Sequence, residues 1–299
     1  MSNIDHATVI SNLQEYIERN VDKNITLHSL AQQAGYSPWH VAKMFKEFTG
    51  KSPFEYIRML RLSKAALTLR DSDKKVIDVA LDFVFDSHEG FTRAFKRQFG
   101  ISPKRYQKDT PPIQLFKPYP VLDYFTYENR NVEDLSNTIA TFSTEILNFP
   151  PRKMILKRGE KARDYFEYMN EIDCDVWGIL ISIKEALYEP VGMWLPENLR
   201  PDGTSFYAQG VEVPADYNGV IPNGFEVIDL PACQMLMFQG EPFEDVNFDK
   251  AIVGLVNAIK SYDPALSDCR WANELAPRIQ LEPQGYRGYM EARPIIQTS

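Results

Sequence analysis

Apolar side chains recur at helical spacing in two stretches of the chain that begin fifty residues apart. In residues 35–50 they fall three, four and seven positions apart, and in residues 85–100 they do nearly the same, which places them on one face of a helix. The positions are Val41, Met44, Phe45 and Phe48, then Phe91, Ala94, Phe95 and Phe99. The pattern predicts two amphipathic helices.

The same fifty-residue offset relates individual residues of the two stretches. Ser37 matches Ser87, Phe45 matches Phe95, Lys46 matches Lys96 and Gly50 matches Gly100. Serine is a preferred residue before the first turn of a helix, and glycine is preferred just after the last. Both predicted helices therefore begin at a serine and end at a glycine.

Each of these helices follows a shorter helical segment. Residues 27–34, with Thr26 as a candidate N-cap, precede the first, and residues 76–83 precede the second. Helix, tight turn and helix make a helix-turn-helix unit. Between the two units, residues 53–72 predict one long amphipathic helix that acts as a rigid spacer. Its apolar positions are Phe54, Ile57, Leu60, Ala65 and Leu69.

A different repeat occupies the second half of the chain. Residues 148–160 align with residues 229–241 at an offset of 81, with identities such as Met154/Met235 and Gly159/Gly240. Each strand-like segment precedes a helical candidate, at 161–185 and at 244–261. Further strand candidates follow at 191–196, 206–213, 278–283 and 288–295. The layout predicts an α+β domain of two pseudo-symmetric halves.

Charge separates these two parts of the chain. Residues 1–108 hold 17 Lys+Arg and 12 Asp+Glu, a balance of +5, whereas the whole chain of 299 residues has a net charge of −8. We expect three regions: an all-α domain over 1–108, a proline-rich linker over 109–130, and the α+β domain over 131–299. A basic domain joined to an acidic one indicates a polyanionic partner for the first domain only.

Several classes of protein are disfavoured. The N-terminus lacks a secretory signal, no apolar run reaches the roughly 18 residues of a membrane span, and the three cysteines are scattered. These features predict a cytoplasmic protein with no membrane partner and no metal. All four histidines lie within residues 1–88, and nucleotide-loop and zinc-protease motifs are absent. We therefore expect no catalytic residues, no cofactor and no enzyme. A hydrolase or a protein-docking role for the second domain stays open as an alternative.

The motifs "GYSPWHVAKMFKEFTG" (35–50) and "AFKRQFGISPKRYQ" (94–107) are specific. Over residues 8–108 the chain resembles the DNA-binding domain of the AraC/XylS family of bacterial transcription regulators, most of all the Rob/MarA/SoxS branch. The resemblance implies double-stranded DNA as a partner and RNA polymerase as a second one. The chain departs from the family at Val84, where many members have glycine.

The resemblance and the chemistry of the exposed faces together predict a set of DNA-binding residues. A long cation near the front of such a helix can reach guanine O6 and N7, or bind phosphate instead. Trp39 either contacts the sugar and thymine methyls or packs in the core, and Glu89 either accepts from cytosine or is a bystander. The set is Trp39, His40, Lys43, Lys46, His88, Glu89, Thr92, Arg93, Lys96 and Arg97.

The second half, roughly residues 130–299, resembles the GyrI-like effector-binding domain. That resemblance implies a small effector, aromatic or cationic, in an aromatic-lined cleft between the halves with a buried acid. Aromatic faces attract cations, although most aromatic residues simply pack in cores. The candidate set is Glu282, Trp177, Trp194, Tyr207, Glu212, Phe238, Tyr289 and Glu291. Glu282 is the acid we favour, because in "RIQLEP" it shares a strand face with Gln280.

Overall fold

A computed structural model describes residues 3–128, 138–172 and 175–298. The chain divides into two compact units, Met1–Glu128 and Asn129–Ser299. We call them the helical unit and the sheet unit and describe each by itself. Across the described ranges, no helix combines the length and the apolar character that crossing a lipid bilayer requires.

The regular structure of the helical unit, over its described residues 3–128, is helical. The helices described are α1 (Asn3–Arg19), α2 (Leu27–Ala34), α3 (Pro38–Thr49), α4 (Pro53–Asp71), α5 (Val76–Asp82), α6 (His88–Phe99), α7 (Pro103–Asp109) and α8 (Val121–Glu128). The predicted helical segments at 27–34, 35–50, 53–72, 76–83 and 85–100 are confirmed. Helices α1, α7 and α8 were not predicted.

Side-chain caps fix where α2 and α3 begin and end. The Thr26 side chain accepts from the Ser29 N–H, and the Ser29 hydroxyl accepts from the Thr26 N–H, which is a capping box. Gly35 and Gly50 end the two helices in the left-handed conformation, at φ 70° and 71°. A side chain would strain both positions, so glycine terminates each helix at a defined residue.

Helix α4 is buried on more sides than one apolar stripe allows. Its buried residues include Tyr56, Leu62 and Ala66, none of which belongs to the predicted stripe, while Phe54 from that stripe is 48% exposed. The reason is that α4 packs against α3, α5, α6 and α7. It is a central helix of the unit and not a spacer with one apolar face and one solvated face.

Residues 110–128 are part of the helical unit. The Ser63 hydroxyl accepts from the Phe116 N–H at 2.7 Å, and the Tyr119 hydroxyl donates to the Phe48 carbonyl at 2.6 Å. Helix α8 packs on α1 and buries Val121. The expected linker over 109–130 is therefore corrected for 110–128, and residues 129 and 130 lie outside the described residues. Prolines indicated a linker here, but they coincide with an ordered segment.

The sheet unit has one antiparallel sheet. Its strands are β1 (Phe142–Phe149), β2 (Arg152–Arg158), β3 (Val191–Trp194), β4 (Tyr207–Pro214), β5 (Glu226–Leu230), β6 (Cys233–Gly240), β7 (Cys269–Trp271), β8 (Arg278–Leu281) and β9 (Met290–Gln297). Their order is β1-β6-β9-β8-β3-β4-β2-β5, and β7 pairs with β9. The described helices are α9 (Tyr165–Ile172), α10 (Asp175–Ser182) and α11 (Phe248–Lys260).

The two faces of the sheet carry different cores. On the helix face, Tyr207 and Val211 pack with residues of α9 and α10, and Tyr289 packs with residues of α11. On the opposite face, which we call the methionine face, lie Met154, Met193, Met235 and Met237 with Ala208 and Ala292. Side chains of β4 alternate between these faces, as the pleat of a strand requires.

The strands predicted at 148–160, 191–196, 206–213, 229–241, 278–283 and 288–295 are confirmed in kind. Those predicted at 206–213 and 288–295 are shifted by one and two residues, and the other four are shorter than predicted. The helical candidate 161–185 contains two helices, α9 and α10, and residues 173 and 174 between them lie outside the described residues. The candidate at 244–261 contains α11. Strands β1, β5 and β7 were not predicted.

Val84, in the turn between α5 and α6, is the basis of a first prediction about stability. Its φ is 61°, a conformation that costs an L-residue about 1–2 kcal/mol and that β-branched residues rarely adopt. We expect Val84→Gly to raise the free energy of unfolding by up to about 1 kcal/mol, because relief of strain exceeds the entropy that glycine adds to the unfolded chain.

Urea unfolding of the full chain measures this change, with Val84→Ala as the control. Alanine keeps the Cβ and should stay below glycine in stability. A glycine variant that is less stable than wild type would contradict a strained turn.

Candidate functional site

The front of α3 presents an aromatic ring and a cation to solvent. Trp39 is 71% exposed, which is unusual for the largest apolar side chain. The Lys43 ammonium lies 5.7 Å from the centroid of the Trp39 ring and 3.7 Å from the Glu47 carboxylate. These weak contacts hold an accessible cation beside an accessible aromatic face on the first turns of the helix.

The core fixes the orientation of α3. The Ser37 hydroxyl accepts from the His40 N–H at 3.3 Å, and Val41 and Phe45 are fully buried. The His40 ring stacks on Tyr36, with 5.0 Å between ring centroids, and is half-buried. Lys46 is exposed. The face that carries Trp39, Lys43 and Lys46 is therefore turned to solvent.

Helix α6 repeats this arrangement. The Ser87 hydroxyl accepts from the Gly90 N–H at 3.1 Å, and Phe91 and Phe95 are fully buried. Gly100 closes the helix at φ 73°. The exposed residues are His88, Glu89, Arg93, Lys96 and Arg97.

Thr92 differs from the other residues in the predicted DNA-binding set. It is half-buried, and its hydroxyl oxygen is inaccessible and has no hydrogen-bond partner among the described residues. The methyl and hydroxyl of Thr92 are therefore less available than the side chains around it.

A cleft of about 720 Å³ runs between α4 and α6. Its walls include the guanidinium-bearing residues Arg58, Arg61, Arg93 and Arg97 and one acid, Asp86. Arg61 is partly engaged, because its Nε donates to the Val21 carbonyl at 2.9 Å, and burial lowers its pKa. Arg58 is exposed. Four cations against one anion make this cleft electropositive.

In the sheet unit, several predicted residues meet where β3 pairs with β8, which we call the midline. Gly192 lies opposite Gln280 in this pairing. A Cβ at position 192 would overlap the Tyr207 hydroxyl, so glycine makes room for that ring. The Trp194 ring contacts Tyr207 edge-on, with 5.3 Å between centroids. The Tyr289 hydroxyl donates to Gln280 Oε1 at 3.2 Å.

A buried carboxylate beside the midline is held by two arginines. Glu291 is fully buried, and its oxygens lie 2.6 Å from Arg278 Nη2 and 2.8 Å from Arg293 Nε. The Arg278 guanidinium also covers the Trp194 ring at 3.8 Å from its centroid. The structure thus brings Trp194, Tyr207, Tyr289 and Glu291 together, although only Glu291 carries a charge.

Several polar groups at the midline are buried together. The Tyr207 hydroxyl, both polar atoms of the Gln209 amide and Arg278 Nε are inaccessible to solvent. Tyr207 and Gln209 are fully buried. Burial raises the pKa of Tyr207 well above its usual value, so its hydroxyl is protonated and able to donate.

Glu212 does not belong to this group. It lies one residue from Val211 and Val213, which face the helices, so it points to the methionine face. There its carboxylate accepts from Arg152 Nε at 2.6 Å, and both side chains are almost fully buried. Burial raises the pKa of Glu212 and the Arg152 charge opposes that shift. Glu212 is a partner in a buried ion pair.

That pair gives a second prediction. Removing one partner of a buried ion pair typically costs about 3–5 kcal/mol because the other charge is left alone, whereas replacing both with apolar residues costs far less. We expect Arg152→Met and Glu212→Leu each to lower the stability of the chain strongly, and the double variant to recover most of the loss. Chemical unfolding of the four proteins measures the coupling, and additive losses would contradict it.

Three other predicted residues lie away from the midline group. Glu282 follows Leu281, the last residue of β8, and lies half-buried in the loop beyond the strand. Phe238 is packed with Phe142 and Tyr262 in the core beneath α11. Trp177 is buried on α10, and its Nε1 has no partner among the described residues.

Sequence reasoning missed Gln209, Arg278 and Arg293, whereas it named Gln280 as the neighbour of Glu282 on one strand face. The alternation of β4 could have identified Gln209, because it places this amide two residues from Tyr207 on the same face of the strand. Amide and arginine residues were not predicted, because the candidates in the strands were chosen among aromatic and acidic residues. The partner relations themselves depend on strand register, which single strands do not reveal.

Comparison with known proteins identifies the helical unit. Residues 30–109 match a family described as "Helix-turn-helix domain". The transcriptional regulator Rob of Salmonella typhimurium is 40% identical over 120 residues, which are 38% of this chain and 42% of Rob. The chain thus matches less than half the length of that relative.

The regulatory protein SoxS of Salmonella typhimurium is 34% identical over 104 residues, which cover 35% of this chain and 97% of SoxS. A crystal structure of the DNA-binding domain of AdpA in complex with a target DNA is also similar, at 25% identity. It covers 33% of this chain and 89% of that one, with a TM-score of 0.32.

SoxS is matched almost from end to end, and the helix-turn-helix family match over residues 30–109 holds the whole of α3, α5 and α6. The chain belongs to the AraC-type family of helix-turn-helix transcription regulators.

Proposed function

We propose that the chain regulates transcription by reading two successive major grooves of DNA, one with α3 and one with α6. The observation that carries this proposal is the repeated, solvent-facing surface of two serine-capped helices. Each lies in one helix-turn-helix unit, formed by α2 with α3 and by α5 with α6. Successive major grooves on one face of a duplex are about 34 Å apart. Two units on one chain would then contact two successive major grooves, as the two subunits of a symmetric dimer do.

The exposed residues divide by chemistry. Lys43 and Arg93 stand at equivalent positions and are the proposed base readers, since a long cation there suits guanine O6 and N7. Trp39 offers an apolar surface to sugars and thymine methyls, and His40, His88, Glu89 and Thr92 complete the base-facing set. Lys46, Lys96 and Arg97 are proposed to bind phosphate. RNA polymerase is the proposed second partner, as for regulators of this kind.

The electropositive cleft adds phosphate contacts to this interface. Arg58 is exposed on α4 and lines the same cleft as Arg93 and Arg97. The DNA backbone has to pass from one groove to the next, and a cleft with four arginines and one acid is suited to it. Arg58 therefore contributes affinity without sequence preference.

These roles predict different behaviour for variants of the full chain. Arg93→Ala or Lys43→Ala should cost about 1–3 kcal/mol on a duplex selected by the wild-type chain from a random pool, and much less on random DNA. Arg58→Ala should weaken both duplexes alike and reduce the slope of log affinity against log salt by about one. Fluorescence anisotropy at several salt concentrations measures both quantities.

Arg19→Ala, at the exposed end of α1, is the matched control and should change neither affinity. If binding is insensitive to both Lys43→Ala and Arg93→Ala, the two-groove proposal is wrong. A salt slope that Arg58→Ala leaves unchanged would remove the cleft from the interface.

We further infer that the sheet unit is a GyrI-like effector-binding domain made of two related halves. The strand order supports this: an offset of 81 residues carries β1 onto β5 and β2 onto β6, and these strands hold equivalent places from the two ends of the sheet. The register agrees, because Asn148 pairs with Gln234 and the residues 81 positions away, Asp229 and Lys153, pair as well. The midline is where the halves meet.

The same register relates the residues of the midline. Met154 pairs with Glu212 and Met235 pairs with Pro294, so β4 corresponds to β9 at an offset of 82. At this offset Tyr207 corresponds to Tyr289, and Gln209 corresponds to Glu291. We propose that the effector binds at this junction, beside Tyr207, Gln209 and Trp194, where aromatic rings and buried polar side chains lie together.

The presence of a small-molecule site has a direct test. Naphthalene-2-carboxamide, an uncharged aromatic probe, should quench intrinsic tryptophan fluorescence saturably and without turnover. Trp194→Leu should lose most of the quenching, while Trp271→Leu, in the core beneath α11, should keep it. No saturable response, or one that Trp271→Leu alone removes, would contradict binding at the midline.

A further inference from the structure

Three exposed residues of α3 form one stripe along the helix, which we call the first stripe. They are Trp39, Lys43 and Glu47, and residues four apart in a helix are neighbours on its surface. The Lys43 ammonium lies 5.7 Å from the centroid of the Trp39 ring and 3.7 Å from the Glu47 carboxylate. The cation that we propose as a base reader is therefore held along the stripe by both of its neighbours.

The corresponding stripe of α6 carries a cation where the first stripe carries an acid. The fifty-residue offset relates Lys43 to Arg93 and Glu47 to Arg97, and both arginines are exposed and line the electropositive cleft. The two helices share their serine caps, terminal glycines and buried phenylalanines, so they differ at this point in charge. An acid lowers the attraction of α3 for a polyanion, whereas Arg97 raises that of α6.

The stability of the helix does not account for Glu47. It lies in the last turn of α3, which ends at Thr49, and a negative charge near the C-terminal end of a helix is unfavourable for the helix dipole. The order of the pair is also the weaker one, because an acid four residues before a base stabilises a helix more than the reverse. An exposed pair with 3.7 Å between its charged atoms adds little to stability.

Lys46 on the same helix differs from Lys43 in this respect. Its side chain is exposed and forms no ion pair among the residues that the structure describes. Lys46 is therefore free to turn towards phosphate. Lys43 reaches a phosphate only by leaving Glu47, whereas its three N–H donors allow it to contact a base edge while Glu47 still holds it. The reason is that in the proposed complex the first stripe faces the floor of the groove.

We propose that Glu47 is a specificity-determining residue, which keeps the Lys43 ammonium on base edges and away from phosphate. On a duplex with guanine at the right position, Lys43 keeps its contact with Glu47 and gains O6 and N7. On other sequences, a phosphate contact costs Lys43 that pair. Glu47 thus weakens non-specific binding and spares specific binding. This rests on the proposed reading of DNA by α3.

Glu47→Gln in the full chain keeps the shape of the side chain and removes its charge. Affinity for random DNA should rise about threefold, which is the scale of one exposed ion pair, while affinity for the duplex selected by the wild-type chain changes little. The slope of log affinity against log salt on random DNA should steepen by about one, because Lys43 then binds phosphate. Fluorescence anisotropy at several salt concentrations measures these quantities.

Lys43→Ala provides the background that separates tethering from simple repulsion. In this background Glu47→Gln should lose most of its threefold gain on random DNA, because no ammonium is left to release. An equal gain with and without Lys43 would mean that Glu47 acts directly on phosphates, and the tethering proposal would be wrong. An equal gain on the selected and the random duplex would exclude a role in specificity.

Glu15→Gln is the matched control, because Glu15 forms the same kind of pair with Arg19 on α1, at 2.8 Å. It removes one negative charge from the same unit, so the ratio of selected to random affinity should stay as in the wild type. Its midpoint of thermal unfolding should fall slightly, since this pair has the favourable order, whereas that of Glu47→Gln should stay equal or rise. A fall for Glu47→Gln with an unchanged ratio would make Glu47 a structural residue and overturn the proposal.

The same measurements distinguish this proposal from the one on which it rests. If Lys43→Ala weakens binding to the selected duplex and Glu47→Gln leaves the ratio of affinities unchanged, the role of Glu47 is wrong and α3 still reads DNA. If Lys43→Ala leaves that binding unchanged, the reading of bases by Lys43 fails, and the role of Glu47 fails with it.

Discussion

One short strand pairing lies at the middle of the sheet. β3 and β8 pair over four residues, from Val191 opposite Leu281 to Trp194 opposite Arg278, with three further strands on each side of them in the strand order. Such a short pairing depends on close packing beside it. Gly192 permits this packing because the Tyr207 ring occupies the space that a Cβ would take.

This constraint also explains why polar groups concentrate there. The helices of the sheet unit pack mainly over β4 and β6, one set on each side of the midline. Aliphatic cores form under them, with Leu180 on one side and Leu255 on the other. Between these cores lie tyrosines, amides and ion pairs. They are contributed by β3, by β8 and by the starts of β4 and β9. A buried polar strip of this kind specifies register, since a slip of one residue would leave its charges unpaired.

Local rules predicted most of the helical unit. Serine caps at Ser37 and Ser87 and the terminal glycines fix the helix ends within a few residues, so those bounds follow from the sequence. Burial of α4 and the docking of residues 110–128 did not follow, because both depend on which other helices lie beside them. The prolines within residues 110–128 do interrupt the helical periodicity. The linker prediction was wrong because this segment still packs on the helical unit.

In the sheet unit, the positions of the strands were predicted from the sequence more accurately than the pairing between them. The repeat at an offset of 81 revealed β2 and β6. Strands β1 and β5, which pair with β6 and β2, carry weak alternation in their own sequences. Glu212 was chosen for its residue type, whereas the fold turns it to the methionine face, where it forms an ion pair with Arg152. Glu282 was chosen from the alternation of apolar and polar residues along β8. The strand ends at Leu281, so Glu282 lies one residue beyond that pattern.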